Sequence, residues 1–195
     1  MKKVKYIVVL LLAVFAGIWT FKKYNINSSH EVGDVLDSLN HVYVYYNGGV
    51  DHVSGRNTTK EGYNLGLKYQ CVEFVKRYYY EYLNHKMPDS YGNAKDFYSA
   101  ELGDGQRNKS RGLKQCSNPS SFRPKVNDLL IFDGSVFNRF GHVAIVSEVT
   151  EKDIEIIQQN PGPFSNSRER FTLERIENKW YINHGRIVGW LRKEV

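Results

Sequence analysis

Cys71 and His142 are the side chains in this sequence best suited to covalent chemistry on a carbonyl. Cys71 opens CVEFVKRYYYEYLN, residues 71–84, where Cys71, Val72, Val75, Tyr78, Tyr79, Tyr82 and Leu83 recur at helical spacing. A cysteine in the first turn of a helix meets unpaired amide N–H groups and the positive end of the macrodipole. Both favour the thiolate, the form that attacks carbonyl carbon. A packed core cysteine is the competing reading, since free cysteines are often buried. His142 follows Gly141 at the start of the β-branched run 143–149, which places an imidazole at a strand end. There it serves either as a structural hydrogen-bonding group or as a proton carrier. If the two meet, the imidazole takes the thiol proton and later hands it to an amine leaving group.

A third group must fix the imidazole through its other nitrogen. GHVAIVSEV, the turn TEKD and IEIIQQN read as a hairpin, and pairing through that turn brings Gln158 or Asn160 near His142. Glu155 lies too near the turn. Turn and edge hydrogen bonding is the alternative role for both amides, especially for Asn160 before Pro161.

Positioning these groups takes a helix followed by a sheet. The helix at 71–84 is predicted to stop before Pro88, and a shorter one follows at about 93–101. Residues 103–124 read as a basic Gly- and Ser-containing loop, 129–132 as a strand, and 171–176, 180–183 and 186–192 as further strands. Residues 31–46 read as a helix or an extended lead-in. The Gly- and Asn-rich stretch 47–68 reads as a long loop with no element. Helices before an antiparallel sheet make the fold class α+β, in one domain.

Four blocks in this order, YQCVEFVKRYY, PKVNDLLIFD, GHVAIV and IIQQNPG, resemble the CHAP family of cysteine- and histidine-dependent amidohydrolases and peptidases, within the papain-like NlpC/P60 group. The resemblance spans about residues 45–192. QCVEF and GRIVGWLR are similar to the family's glutathionylspermidine amidase branch. The resemblance implies a papain-like fold with N-terminal helices on a C-terminal antiparallel sheet. It implies Cys71 as nucleophile, His142 as base and Gln158 at the position where the family usually has Glu, with Asn160 as the fallback. A carboxamide there can accept the imidazole N–H but cannot neutralise an imidazolium. The oxyanion donors expected are the Cys71 backbone N–H and a second from Gln70 or the preceding loop.

The implied reaction is amide hydrolysis, with peptidoglycan the expected substrate. Small glutathione–polyamine amides are the first alternative and a catalytically weak wall-binding module the second. No cofactor is expected. Residues 51–70 carry only Asp51 and Glu61, too few for a calcium cage, and the cysteines and histidines show no zinc spacing.

Charge and hydropathy indicate where such a protein works. The 195 residues carry 27 basic and 21 acidic side chains, a net +6. Lys2, Lys3, Lys5, Lys22 and Lys23 supply five of the six, so the other 172 residues hold 22 basic against 21 acidic groups, +1. That balance gives no reason to expect a nucleic-acid partner. The lysines bracket an uncharged, mostly aliphatic run at 6–21, so residues 1–23 read as a signal peptide, with a small-residue site at Val14-Phe15-Ala16, or as a retained membrane anchor. Either implies export, secreted or held on the outer face of the membrane. Residues 24–44 are then linker and lead-in, and 45–195 the catalytic domain.

Three weaker features remain. Tyr78, Tyr79, Tyr80 and Tyr82 form a stacking platform or, more simply, core packing. Arg107, Lys109, Arg111 and Lys114 form an anion-binding cluster or a solvated loop. Cys116 is free or bridges chains, because pairing with Cys71 would consume the nucleophile.

Overall fold

The computed structural model describes residues 2–136 and 138–194. In chain order the elements are α1 (Lys2–Lys23), β1 (Val35–Leu39), β2 (Val42–Tyr45), β3 (Arg56–Thr58), β4 (Asn64–Leu67) and α2 (Cys71–Glu81). A single 3-10 turn, Ala94–Phe97, follows, then β5 (Arg107–Asn108), β6 (Leu113–Ser117), β7 (Leu129–Phe132) and β8 (His142–Val149). β9 (Asp153–Ile157), β10 (Arg168–Ile176), β11 (Lys179–Ile182) and β12 (Ile187–Arg192) complete the chain. The fold is α+β, as the order of helical and strand patterns predicts.

β5 to β12 form one eight-stranded antiparallel sheet in the order β11-β10-β9-β8-β7-β12-β6-β5. Alternation sorts its side chains into two cores. Leu129, Ile131, Val143, Ile145 and Ile157 face α2 and meet Phe74, Val75, Tyr78 and Tyr79, all fully buried. Burying side chains of this size stabilises by about 1.5–3 kcal/mol each. Leu130, Phe132, Ala144, Val146, Ile154, Ile156 and Trp190 fill the opposite face. The sheet curls over this second core, and Ser120, just beyond β6, exchanges backbone hydrogen bonds with Trp180 of the far edge strand β11.

The structure corrects several sequence expectations. Of the two readings of residues 31–46 the extended one holds over 35–45: β1 and β2 make a hairpin around Asn40 and His41, both at positive φ, with Val42 and Val44 turned inward. The stretch 47–68 is not elementless, because β3 and β4 pair within it. Gly66 explains why a glycine-rich segment does this. At φ +133°, a Cβ there would lie 3.1 Å from the backbone of Glu73, so only glycine lets β4 press against the first turn of α2. β5 and β6 run through the expected loop 103–124, β6 being drawn in by pairing with β12 and by burial of Leu113 and Cys116. The expected helix at 93–101 is one 3-10 turn closed by an Asn93–Asp96 capping box. The helix expected to reach residue 84 has its C-cap at Tyr82.

α2 also departs from the amphipathic pattern. Lys76 and Arg77, which lie off the apolar face that the spacing defines, are buried as well. Lys76 Nζ donates to the Ser90 carbonyl at 2.6 Å and to the Asn64 carbonyl, and burial lowers its pKa to about 8. Arg111, from the basic stretch, is also internal and donates to the carbonyls of Asp89, Tyr91 and Asp96. Tyr78 and Tyr79 are core residues, as the packing reading expects, while Tyr82 is exposed.

α1 is unburied and, with mean hydropathy 2.2 over its apolar window, long and apolar enough to cross a membrane. Its end is tied to the domain. The Asp51 N–H donates to the Lys22 carbonyl at 2.8 Å, and Lys22 Nζ lies 3.3 Å from the Asp51 carboxylate.

Candidate active site

Cys71 is the first residue of α2, after an N-cap, Gln70, whose extended backbone makes no side-chain cap bond. The first-turn amides are therefore not consumed by a cap. The N–H groups of Val143, Val72 and Cys71 itself point at the sulfur and favour the thiolate, but burial outweighs them and pushes the thiol up to about 11. This revises the thiolate expected at a helix start. Desolvation exceeds the benefit of the helix end here, and Cys71 rests as a neutral thiol.

His142 begins β8, and Gly141 delivers it there. A Cβ on Gly141, at φ +76°, would lie 2.6 Å from the Phe132 carbonyl and 3.0 Å from Lys95 N, so the turn into β8 has room only for glycine. The Asn138 side chain fastens this turn by donating to the Gly141 carbonyl at 2.9 Å. Burial lowers the imidazole pKa to about 4; the Gln158 hydrogen bond opposes this and the Arg186 charge adds to it. The ring is neutral at physiological pH.

The hairpin places Gln158 where its pattern predicts, with Oε1 at 2.9 Å from His142 Nε2. Gln158 Nε2 donates to the Asn166 carbonyl at 3.3 Å and to Glu169 Oε2 at 3.4 Å. Both of those partners only accept, which fixes the amide's orientation. Oε1 must face the imidazole, Nε2 of His142 must carry its proton, and Nδ1 is left with the lone pair. Asn160 does not reach His142: its amide donates to the Val50 carbonyl at 2.9 Å and to Gln70 Oε1 at 2.8 Å. Gln70 is also committed. Its side-chain amide donates to the carbonyls of Val50 and His52, and its backbone N–H to the Leu67 carbonyl.

Cys71, His142 and Asn160 line one cleft of about 720 Å³, with Arg56, Tyr91 and Arg139 at its sides. Among the described residues no hydrogen bond joins Cys71 to His142. A second hollow, about 990 Å³, opens on the other side of His142 and is lined by Gln158, Glu169 and Arg186 together with Ile18 and Lys22 of α1.

A polar network missed at the sequence level holds the two halves together. Gln159, fully buried, donates to the Gln70 carbonyl at 3.0 Å and to Glu73 Oε2 at 2.9 Å, and accepts from Tyr45 N at 2.8 Å. Glu73 also accepts from Arg77 Nε at 2.7 Å and from Asn57 at 2.8 Å. Glu73 and Arg77 stand four residues apart, a spacing visible in the sequence, but the pair reads as an ordinary exposed salt bridge until α2 is seen to be covered. Cys116 is fully buried and free, out of reach of a bridge between chains. Among the described residues no group of three or more His, Cys, Asp or Glu gathers as a metal site.

Comparison with known proteins bears on this arrangement. The family model described as the CHAP domain matches residues 60–160, more than half of the chain and the span from β4 to just beyond β9. The chain belongs to the CHAP domain family. The match includes Cys71, His142, Gln158 and Asn160, and the α+β architecture fits a papain-like CHAP fold. Among curated proteins, the CHAP chain is 30% identical over 139 residues to the bifunctional glutathionylspermidine synthetase/amidase of Escherichia coli, covering 65% of this chain and 22% of that protein. It is 28% identical over 120 residues to the trypanothione synthetase of Crithidia fasciculata, covering 62% of this chain and 18% of that protein. The chain thus spans about a fifth of the length of these relatives. A solved structure, that of Ly7917, aligns at a TM-score of 0.30 and 16% identity over 50% of this chain and 40% of that one.

Proposed function

We propose that this CHAP domain is a cysteine amidohydrolase or peptidase tethered to the membrane by residues 1–23, with residues 45–195 carrying catalysis and 24–44 leading into them. The observation that carries the reading is the shared cleft of Cys71 and His142, with the imidazole oriented by Gln158. His142 Nδ1 takes the thiol proton as sulfur attacks the amide carbon, so charge develops only during reaction. The Cys71 backbone N–H stabilises the oxyanion; Gln70, already engaged, does not supply the second donor as the site stands. The imidazolium protonates the departing amine, and His142 then activates water to hydrolyse the thioester. Asn160 shapes the cleft wall and Gln158 is the orienting group.

Peptidoglycan peptides are the substrate that an exported CHAP enzyme would meet. Digesting purified wall with the wild-type chain and with Cys71→Ala, and reading the products by mass spectrometry, tests both the activity and the bond. New amine and carboxyl ends with wild type alone are expected. Identical products from both proteins would leave the wall-binding alternative. Similarity to proteins named for glutathionylspermidine favours a second reading, hydrolysis of glutathione–polyamine amides. Release of glutathione from glutathionylspermidine in a parallel assay would select it.

A further inference from the structure

α1 and the hollow beside His142 share residues. Gly17, Ile18, Phe21 and Lys22 line it together with His142 and Gln158. The contact is close: a Cβ on Gly49 would lie 2.4 Å from the Lys22 carbonyl. Gly17 and Ile18 also belong to the uncharged run between the lysine clusters. At a rise of about 1.5 Å per residue, Ile18 lies only about 6 Å along the helix axis from Lys22. A bilayer holding that run, with Lys22 and Lys23 at its surface, therefore has the edge of the hollow at headgroup depth.

The side chains around the hollow have the composition of such a surface. Val136 is 96% exposed and Phe164 64% exposed, and each adjoins a residue that lines the hollow, Ser135 and Ser165. Lys22, which also meets Asp51, supplies a cation at the same rim together with Arg168 and Arg186, against one acid, Glu169. Apolar side chains beside lysine and arginine heads suit the bilayer interface, and the cations suit anionic headgroups.

We propose that the face of the domain bearing this hollow rests on the bilayer surface, so that the enzyme acts on amides carried by membrane-tethered molecules. The inference rests on the reading of α1 as a retained anchor. It leaves cell-wall peptide far from the membrane out of reach.

The test uses the full chain in vesicles of phosphatidylcholine and phosphatidylglycerol, in a Cys71→Ala background. A bimane is attached at Ser165→Cys or, as a second rim position, at Ser135→Cys. The reference is Glu151→Cys, in the turn at the opposite end of the β8–β9 hairpin. Lipid carrying a headgroup spin label is expected to quench both rim probes several-fold more than the reference. Equal quenching at the two ends would overturn the proposal, as would release of the domain from the membrane by cleavage after Ala16 in the producing cell. Because the readout needs no catalysis, it stands apart from the hydrolysis assays. A chain that cuts nothing but shows rim quenching would refute the enzyme reading and leave the placement intact.

Discussion

Gln158 faces His142 with its oxygen, at 2.9 Å, because the nitrogen of the same amide is held by the Asn166 carbonyl and the Glu169 carboxylate. The imidazole tautomer is thus set from outside the cleft by two acceptors that never touch it. Removing the amide with Gln158→Ala is expected to lower kcat/KM on the order of 10²-fold, with a smaller effect on KM. Steady-state kinetics on whichever substrate the wall digest or the glutathionylspermidine assay reveals would check this, and an unchanged kcat would count against orientation by Gln158.

Restoring a carboxylate at this position has two opposed effects. Gln158→Glu supplies a charge that raises the His142 pKa, yet it points an acceptor at Asn166 and Glu169. The single variant is expected to lose about 1–3 kcal/mol of stability. The double variant Gln158→Glu, Glu169→Gln returns a donor and recovers most of it. Urea denaturation reads the stability, and histidine Cε1–H NMR titration reads the pKa.

The resting pair is neutral on both sides, so alkylation of Cys71 has a definite pH profile. With the thiol at about 11, its reaction with iodoacetamide is expected to be slow at neutral pH and to climb through pH 8–10. A preformed thiolate–imidazolium pair would give a plateau beginning in the acid range instead. Such a plateau between pH 5 and 8 would contradict the neutral resting state.

Stability responds in the same sense. The folded-state pKa of His142 is depressed to about 4, below the unfolded value of about 6.5, so the unfolded chain binds more protons between these limits. The contribution is whole above about pH 6.5 and is lost as pH falls through 4, a difference of about 3 kcal/mol. Cys71 acts at the other end, its contribution fading as pH rises from about 8.5 toward 11. Urea midpoints against pH for wild type and His142→Gln should diverge in shape below pH 6.5.

Gly141→Ala sets a side chain against the Phe132 carbonyl at a positive φ and should cost about 1–3 kcal/mol while displacing His142. Cutting the buried Glu73–Arg77 pair with Arg77→Ala leaves a carboxylate without its cation, at about 3–5 kcal/mol. Thermal melts of the two variants check both, and a wild-type melting temperature for Gly141→Ala would contradict the geometry.

How much of this was legible in the sequence depends on whether a residue's role is local. The hairpin from His142 to Gln158 was readable because alternation and a turn fix the pairing within one short segment. α2 was readable from its spacing, but the fate of Lys76 and Arg77 was not. Lys76 is covered by β4 and the segment near Ser90, and Arg77 by Tyr43 and Tyr45 of β2, which periodicity along one helix cannot register. Likewise β6 looks like loop because its partner β12 lies at the other end of the chain, and β5 forms only as the edge strand against β6. The neutral state of Cys71 was hidden for a related reason. The helix start is local and favours the thiolate, whereas the desolvation that overrides it comes from the sheet packed over it.

The Gln159–Glu73 hydrogen bond gives the site a seam. His142 and Gln158 belong to one hairpin, whereas Cys71 begins a separate helix, joined to it by this bond and by those that Gln159 and Asn160 make to Gln70. Gln158 itself bonds to no residue of α2, so exchanging it removes no hydrogen bond at Cys71.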